Sequence, residues 1–198
     1  MSVISPFFAI VSRMKYIDRW SLMRNARTEN LSEHSLDVAI IAHALATIAN
    51  VRYGREVDAE RAALIALYHD ASEIVTGDMP TPVKYANSEI RDAYHAVEDA
   101  TARRLLEALP EDLRDAYRPL LLTEAEDDEY LHKLVKAADR LSALIKCVDE
   151  AAAGNGEFKS AEAATRAKIE ENALEMPEVA DFVKEFLPAY GSTLDELL

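Results

Sequence analysis

Apolar residues recur at helical spacing along nearly the whole chain. Val38, Ile41, Leu45 and Ile48 share one stripe of a helix. Asn30, with Glu33 three residues later, has the form of a capping box, so this helix is expected to start there and run to about Val51. Ahead of it the pattern predicts a first helix over residues 6–17, with proline early, where its missing N–H does no harm. A polar, arginine-rich connection fills residues 18–30. The run from Ala62 to Tyr68 is apolar on every side of a helix and predicts a central core element, N-capped by Asp58, continuing through Glu73 and stopping near Gly77. A loop stiffened by Pro80 and Pro82 follows. Further helices are expected over 88–109, from Pro110 onward, over 130–153, over 157–175 and over 177–190, with an acidic turn at 124–129. The helix over 130–153 has its main stripe at Leu134, Ala138, Leu141, Ile145 and Val148 and ends at Gly154-Asn155-Gly156. No internal repeat or low-complexity linker interrupts the series, so residues 1–198 are read as one all-α domain.

Composition narrows the class. At 49% hydrophobic and 29% charged, with five glycines, the 198 residues have the make-up of a globular helical protein. A formal net charge of −14 argues against sequence-independent binding to a nucleic-acid polymer. A small anionic substrate stays open, provided that the site brings its own positive charge. The single cysteine, Cys147, excludes an internal disulfide and fits a reducing cytoplasm. No apolar run is expected to reach the roughly 18 residues of a membrane span. The apolar patch at 4–11 lacks the basic flank of a secretion signal, so a cytoplasmic protein that does not enter the membrane is expected.

The chemistry is carried by His34, the pair His69-Asp70, and Asp139. Two imidazoles and two carboxylates form a mixed nitrogen and oxygen donor set, suited to a divalent transition metal with open coordination positions. An acid and an imidazole directly after a buried run are costly unless something neutralises them. A metal would do so; a capping histidine with an ion-paired aspartate would serve as well. Glu73 lies four residues after His69 and three after Asp70, so a continuous helix would put all three on one side. There it could accept the proton of a metal-activated water, or it could be an exposed helix residue in a salt bridge. Asp139 lies off the main stripe, among Val135, Ser142, Ala143 and Lys146, and reads from pattern alone as solvated or partly buried. His43 is expected near the packing surface of its helix, His95 on the amphipathic helix and His132 in a charged neighbourhood. None of these three reads as a ligand. Arg19-Trp20 pairs a guanidinium that forks onto phosphate oxygens with a flat indole for a sugar or base, although a lone tryptophan commonly packs in a core. Arg24 and Arg27 read as structural ion pairs. The loop of Asp78, Met79, Pro80 and Thr81 falls at the rim of any pocket built on His69 and Asp70.

The order His34, His69-Asp70, Asp139 on helices resembles the HD-domain metal-dependent phosphohydrolase superfamily. The longer strings Arg19-Trp20, Leu22-Met23-Arg24-Asn25, Arg27-Thr28-Glu29-Asn30, Ser32-Glu33-His34-Ser35, Tyr68-His69-Asp70-Ala71-Ser72-Glu73 and Thr76-Gly77-Asp78, with Pro80-Thr81-Pro82-Val83-Lys84-Tyr85, resemble the bacterial HD-domain 5′-deoxynucleotidases. The resemblance is densest in the first 90 residues and weakest between about 91 and 130. It implies an HD-domain helical fold and hydrolysis of deoxyribonucleoside 5′-monophosphates to deoxynucleoside and phosphate, selective against ribonucleotides, by attack of a metal-activated water. It further implies His34, His69, Asp70 and Asp139 as metal ligands, and Glu73 and Arg19 as catalytic groups. Substrate would be bound by Arg19, Trp20, His34, Asp70, Asp78, Met79, Pro80, Thr81 and Asp139. The metal would be cobalt or manganese, with magnesium, copper or zinc as alternatives, and the assembly a homodimer. Rival readings are an HD-type hydrolase of another nucleotide, such as a deoxynucleoside triphosphate or cyclic dinucleotide, and a helical regulatory module without catalysis.

Overall fold

The computed structural model describes residues 4–84, 86–122 and 128–198. The first expected helix is split. α1 covers Phe7–Val11 and continues as a 3-10 turn, Ser12–Tyr16, after which Ile17 is extended. The reason is pairing across the next connection. The Leu31 N–H donates to Ile17 O at 3.0 Å, the Arg19 N–H donates to Glu29 O at 2.8 Å, and Asp18 and Asn30 form an antiparallel bridge. A helix continued through Ile17 could not make these bonds.

α2, Leu31–Tyr53, starts at the expected capping box and ends at Gly54, whose φ of +64° is the left-handed turn that glycine adopts without strain. α3, Ala59–Tyr68, is capped by Asp58, whose carboxylate accepts from the Arg61 N–H at 2.9 Å. It does not reach Glu73. The chain turns at 69–72, and a separate helical turn, α4, occupies Glu73–Thr76. Nor is α3 buried on every side. Ala62, Ile65 and Ala66 face the core, but Leu64 and Leu67 are 46% and 37% exposed, because α2 and the later helices Glu111–Leu121 and Glu129–Ala152 cover only one flank of it.

The remaining elements are α5 (Thr81–Lys84), α6 (Ser88–Glu107), α7 (Glu111–Leu121), α8 (Glu129–Ala152), a 3-10 turn at Gly156–Phe158, α9 (Lys159–Glu175), α10 (Pro177–Glu185), a 3-10 turn at Leu187–Ala189, and α11 (Leu194–Leu197). The expected helix over 177–190 is thus an α-helix followed by a 3-10 turn. Residues 124–127 of the expected acidic turn lie outside the described residues. Among the described residues the fold is all-helical.

Two apolar clusters hold it together. The larger joins α2, α3, α8 and the C-terminal helices through side chains such as Leu45, Ile65, Leu134, Leu141 and Phe182. The smaller packs Phe7 and Met14 with Leu31, Ala71, Leu105 and Leu109. One sequence expectation needs correction: α2 is long and apolar enough to cross a membrane by length and composition alone. Its apolar residues are instead taken up by α3, α8 and α10, and Val38, Ala42, Leu45, Ala46 and Ala49 are fully buried. Cys147 is buried as well, and that burial pushes its thiol up to about 11, which keeps it inert near neutrality.

Candidate metal centre and active site

Three elements carry the cluster. His34 sits in the first turn of α2, His69 and Asp70 sit where α3 gives way to the turn, and Asp139 lies in mid-α8. Because α2 packs on both α3 and α8, the three meet without any long excursion of the chain. A ligand atom from each of His34, His69 and Asp70 falls within 4.8 Å of the others. His69 Nε2 is 3.1 Å from Asp70 Oδ2, and His34 Nε2 is 3.5 Å from that same oxygen. Asp139 joins through its Oδ1, 3.1 Å from His34 Nε2. The pattern reading of Asp139 as partly buried holds: its side chain is 38% exposed, whereas that of His34 is wholly buried. The mixed face of α8 is the one turned toward the cluster.

Each imidazole is oriented from behind. His69 Nδ1 lies 2.7 Å from Ala66 O, so that nitrogen carries the proton and donates it. His34 Nδ1 meets Ser142 Oγ at 3.1 Å. Nδ1–H on a histidine leaves the Nε2 lone pair free in the neutral ring, and this is how metal-binding histidines are commonly held. Both Nε2 atoms are buried, and neither makes a well-formed hydrogen bond despite the nearby carboxylates. Lone pairs and carboxylate oxygens facing one another repel unless a cation lies between them, so the donor set fits a divalent ion.

The electrostatics point the same way. Burial alone would lower the His69 imidazole, but Asp70 and Asp139 outweigh it and lift it to about 9. Burial would raise Asp70; His69, His34 and Arg19 instead hold it well below the usual carboxylate range. Asp139 is likewise held low, with His34 overcoming its burial. Glu73 goes the other way. Burial, then Asp70 and Asp78, push it up to about 9.

Glu73 is 7% exposed, which removes the reading of it as a surface salt-bridge residue. Since α3 has already ended, Glu73 arrives by a different route from the expected one. Its N–H donates to Asp70 O at 2.9 Å as the turn closes, and α4 then aims it inward. Its Oε2 is buried and unpaired, while Oε1 lies 3.5 Å from the Tyr94 hydroxyl on α6. Tyr94 also reaches Thr76 Oγ1 at 3.1 Å and Gly77 O at 3.3 Å.

Arg19 is buried and paired with Glu29. Its Nε remains unpaired, and its guanidinium carbon lies 5.9 Å from the centre of the Trp20 ring. Trp20 is half-buried and meets Phe158 edge-on, with ring centres 5.4 Å apart. Its φ of +56° is an uncommon, strained conformation for a bulky residue. The strain is held by Asp78, whose Oδ2 accepts from the Trp20 N–H at 3.0 Å, and by Asn25, whose amide donates to Trp20 O at 3.1 Å. Asp78 is therefore tied directly to the Arg19-Trp20 segment. Met79 and Pro80 continue from it half-buried, and Thr81 is exposed at the start of α5.

The other candidates fall away from this centre. Arg24 pairs with Glu157 at 2.8 Å and Arg27 with Glu33 at 3.2 Å, both as structural ion pairs. His43, expected against its helix's packing surface, is exposed, because the α2 packing stripe runs through positions 38, 42, 45 and 49 instead. His95 pairs with Glu98 at 2.9 Å, and His132 is half-buried. Three residues near the site were not singled out from the sequence. Ser142 was visible as a neighbour of Asp139 one turn on, and Glu29 as an acid beside the helix cap. Tyr94 had no signal, since only tertiary packing brings α6 to Glu73.

Comparison with known proteins agrees with this geometry. The family model for YfbR-like 5′-deoxynucleotidases matches residues 6–190. The 5′-deoxynucleotidase YfbR of Escherichia coli is 51% identical over 193 residues, 98% of this chain and 96% of the relative. An HD-domain phosphohydrolase from Listeria innocua superposes with a TM-score of 0.78 at 30% identity, covering 93% of this chain and 87% of that one. The cyanophage S-2L HD phosphohydrolase DatZ, solved with dA and one catalytic Zn2+, gives a TM-score of 0.64 at 19% identity, covering 95% and 99%, a likeness of fold alone. The chain thus belongs to the YfbR-like 5′-deoxynucleotidase family, built on the all-helical fold of HD-domain phosphohydrolases.

Proposed function

We propose that this protein is a metal-dependent 5′-deoxynucleotidase, hydrolysing deoxyribonucleoside 5′-monophosphates to the deoxynucleoside and inorganic phosphate. The observation that carries the reading is the set of buried, unpaired polar atoms around one centre: the Nε2 atoms of His34 and His69, Glu73 Oε2 and Arg19 Nε. Buried polar groups are ordinarily paired, so orphans gathered at one place mark groups kept free for a ligand. Family membership supplies the reaction class, and the name of the Escherichia coli relative supplies the substrate class.

His34, His69, Asp70 and Asp139 would hold the divalent ion. Bound there, such an ion supplies Lewis-acid chemistry and a water that ionises near neutrality rather than near its bulk pKa of about 15.7. Burial, Asp70 and Asp78 by themselves hold the Glu73 carboxyl up. The charge of a cation bound beside it would favour its ionised form, in which Oε2 takes the proton of the attacking water. Arg19 meets the phosphate with its unpaired Nε–H edge, neutralising charge that an acidic protein would otherwise repel. Trp20 walls the sugar. A 2′-hydroxyl pressed against the indole would be desolvated without a partner, a cost on the order of 1–3 kcal/mol that falls on the ribonucleotide alone. Asp78, Met79, Pro80 and Thr81 line the nucleotide's outer edge.

Several finer points rest on the family resemblance. The metal is cobalt or manganese, the compartment the cytoplasm and the assembly a homodimer, for which Leu36 and Ile40, exposed one turn apart on α2, offer apolar surface. Residues of α2 enter both apolar clusters, which supports reading residues 1–198 as one domain.

The test is phosphate release from the matched pairs dAMP and AMP, and dUMP and UMP, with cobalt, manganese, magnesium or EDTA. Metal-dependent release from the deoxy members alone is expected. Equal release from both sugars would keep the hydrolase and discard the Trp20 argument; no release with any metal would overturn the reaction.

A further inference from the structure

We propose that Glu29 is a positioning residue, holding the Arg19 guanidinium in the orientation in which it meets the substrate phosphate; this rests on the role given to Arg19 above. Glu29 grips Arg19 at both ends. Its carbonyl accepts the Arg19 N–H at 2.8 Å, next to the Asp18–Asn30 bridge, which fixes the backbone from which the side chain departs. Its carboxylate accepts from Arg19 Nη1, and that side-chain pair is largely shielded from water. Glu29 itself is anchored through the next residue, since Asn30 and Glu33 form the capping box that starts α2.

The need for such a grip follows from the charges nearby. Arg19 lies within electrostatic reach of Asp70, Asp78 and Asp139 as well as Glu29. Two of these aspartates belong to the proposed ligand set. A guanidinium free to swing would settle on them, compete with the metal and present the wrong edge to a phosphate. Pairing one edge with Glu29 removes that option and leaves Nε buried without a partner. The arrangement costs positive field, because Glu29 offsets part of the charge that attracts phosphate. Its benefit is therefore orientation, where a displacement of about 1 Å changes rates on the order of 100-fold. A direct action on the metal ligands is disfavoured by geometry. Glu29 Oε1 is 3.9 Å from His34 Nδ1, beyond hydrogen-bond length, and that nitrogen already faces Ser142 Oγ at 3.1 Å.

The experiment is a mutant cycle on the full chain loaded with manganese, with dAMP as substrate: wild type, Glu29→Ala, Arg19→Ala and the double variant, with Glu29→Gln as the conservative replacement. Metal content and Tm are measured on each. Glu29→Ala should lower kcat/KM about 10- to 100-fold, mostly in kcat, with the metal retained. The double variant should be no worse than Arg19→Ala within about twofold, because Glu29 has nothing to act on once Arg19 is gone. Glu29→Gln keeps the acceptor oxygen and should recover most of the loss. Additive losses in the double variant, loss of metal in Glu29→Ala, or an unchanged kcat/KM would each overturn the assignment. An Arg19→Ala variant as active as wild type would instead remove the phosphate role of Arg19 and the proposal with it. Should Glu29→Ala fail to fold, Glu29→Asp, which keeps the charge but draws the carboxylate back from Nη1 by one carbon, completes the cycle in both Arg19 backgrounds with the same expected pattern.

Discussion

Asp139 and Glu150 stand on the same helix, α8, about three turns apart, and each is the acidic member of a polar cluster with buried groups. Glu150 has both carboxylate oxygens satisfied. Its two oxygens accept from the Ala26 N–H at 2.7 Å, the Arg27 N–H at 3.3 Å, the Asn155 amide at 2.6 Å and the Lys146 ammonium, which also donates to Arg27 O. Around Asp139 the bonds are left open. Both imidazole Nε2 atoms, Glu73 Oε2 and Arg19 Nε have no partner. One helix therefore carries a network that locks the chain and a network kept ready for a ligand. The first also serves the second: by fixing residues 26 and 27, Glu150 steadies the connection that carries Arg19 and Trp20, while Lys146 lies over Phe158, the ring on which Trp20 rests.

The sharpest way to break this contrast is at Glu73. Glu73→Gln should cost about 10²- to 10⁴-fold in turnover while retaining the metal and the fold, as removal of a proton acceptor does. Asp139→Ala should lose both metal and turnover. Metal analysis beside phosphate release checks the pair, and loss of metal in the Glu73 variant would move Glu73 into the ligand set.

At the closed cluster the loss should appear in stability instead. Glu150→Ala strands the Lys146 ammonium and is expected to cost on the order of 3 kcal/mol, read as a fall in Tm larger than any change in kcat. Acid sharpens the point. Burial alone would raise the Glu150 carboxyl, but Lys146 and the surrounding donors hold it down to about 2. A depressed carboxyl contributes stability above its unfolded value, and that contribution is lost as pH falls through the folded one. The stability difference between wild type and Glu150→Gln, followed by urea unfolding, should thus shrink as pH drops from about 4.5 toward 2. A difference independent of pH would mean that the charge of Glu150 contributes nothing.

The smallest effect is expected at the sugar wall. Trp20→Ala should narrow the preference for dAMP over AMP by on the order of 1–3 kcal/mol in kcat/KM and leave the metal in place. Unchanged discrimination would show that the preference is built elsewhere.

Local signals were read well from the chain. Asn30 with Glu33, Asp58, and the glycine at 154 mark helix ends through bonds or backbone angles set within a few residues, and the structure has each of them. The four proposed ligands were named because their residue types declare metal chemistry. Harder to see was any feature that depends on a partner far along the chain. The helix expected to continue through Glu73 breaks at His69, where the turn lets His69 and Asp70 face α2 and α8 while α4 redirects Glu73. Leu64 and Leu67 carry the same apolar signal as Ile65 but lie on the uncovered flank.

By itself, then, the sequence determined the helical class and the main caps and offered the candidate metal ligands, because spacing, capping and donor chemistry act over a few residues. Only the tertiary structure decided that the weak face of α8 would carry Asp139 to His34, that Glu29 would grip Arg19 and that Tyr94 would reach Glu73. Those contacts join segments 10 to more than 100 residues apart, and periodicity along one helix says nothing about which neighbour will cover each of its faces.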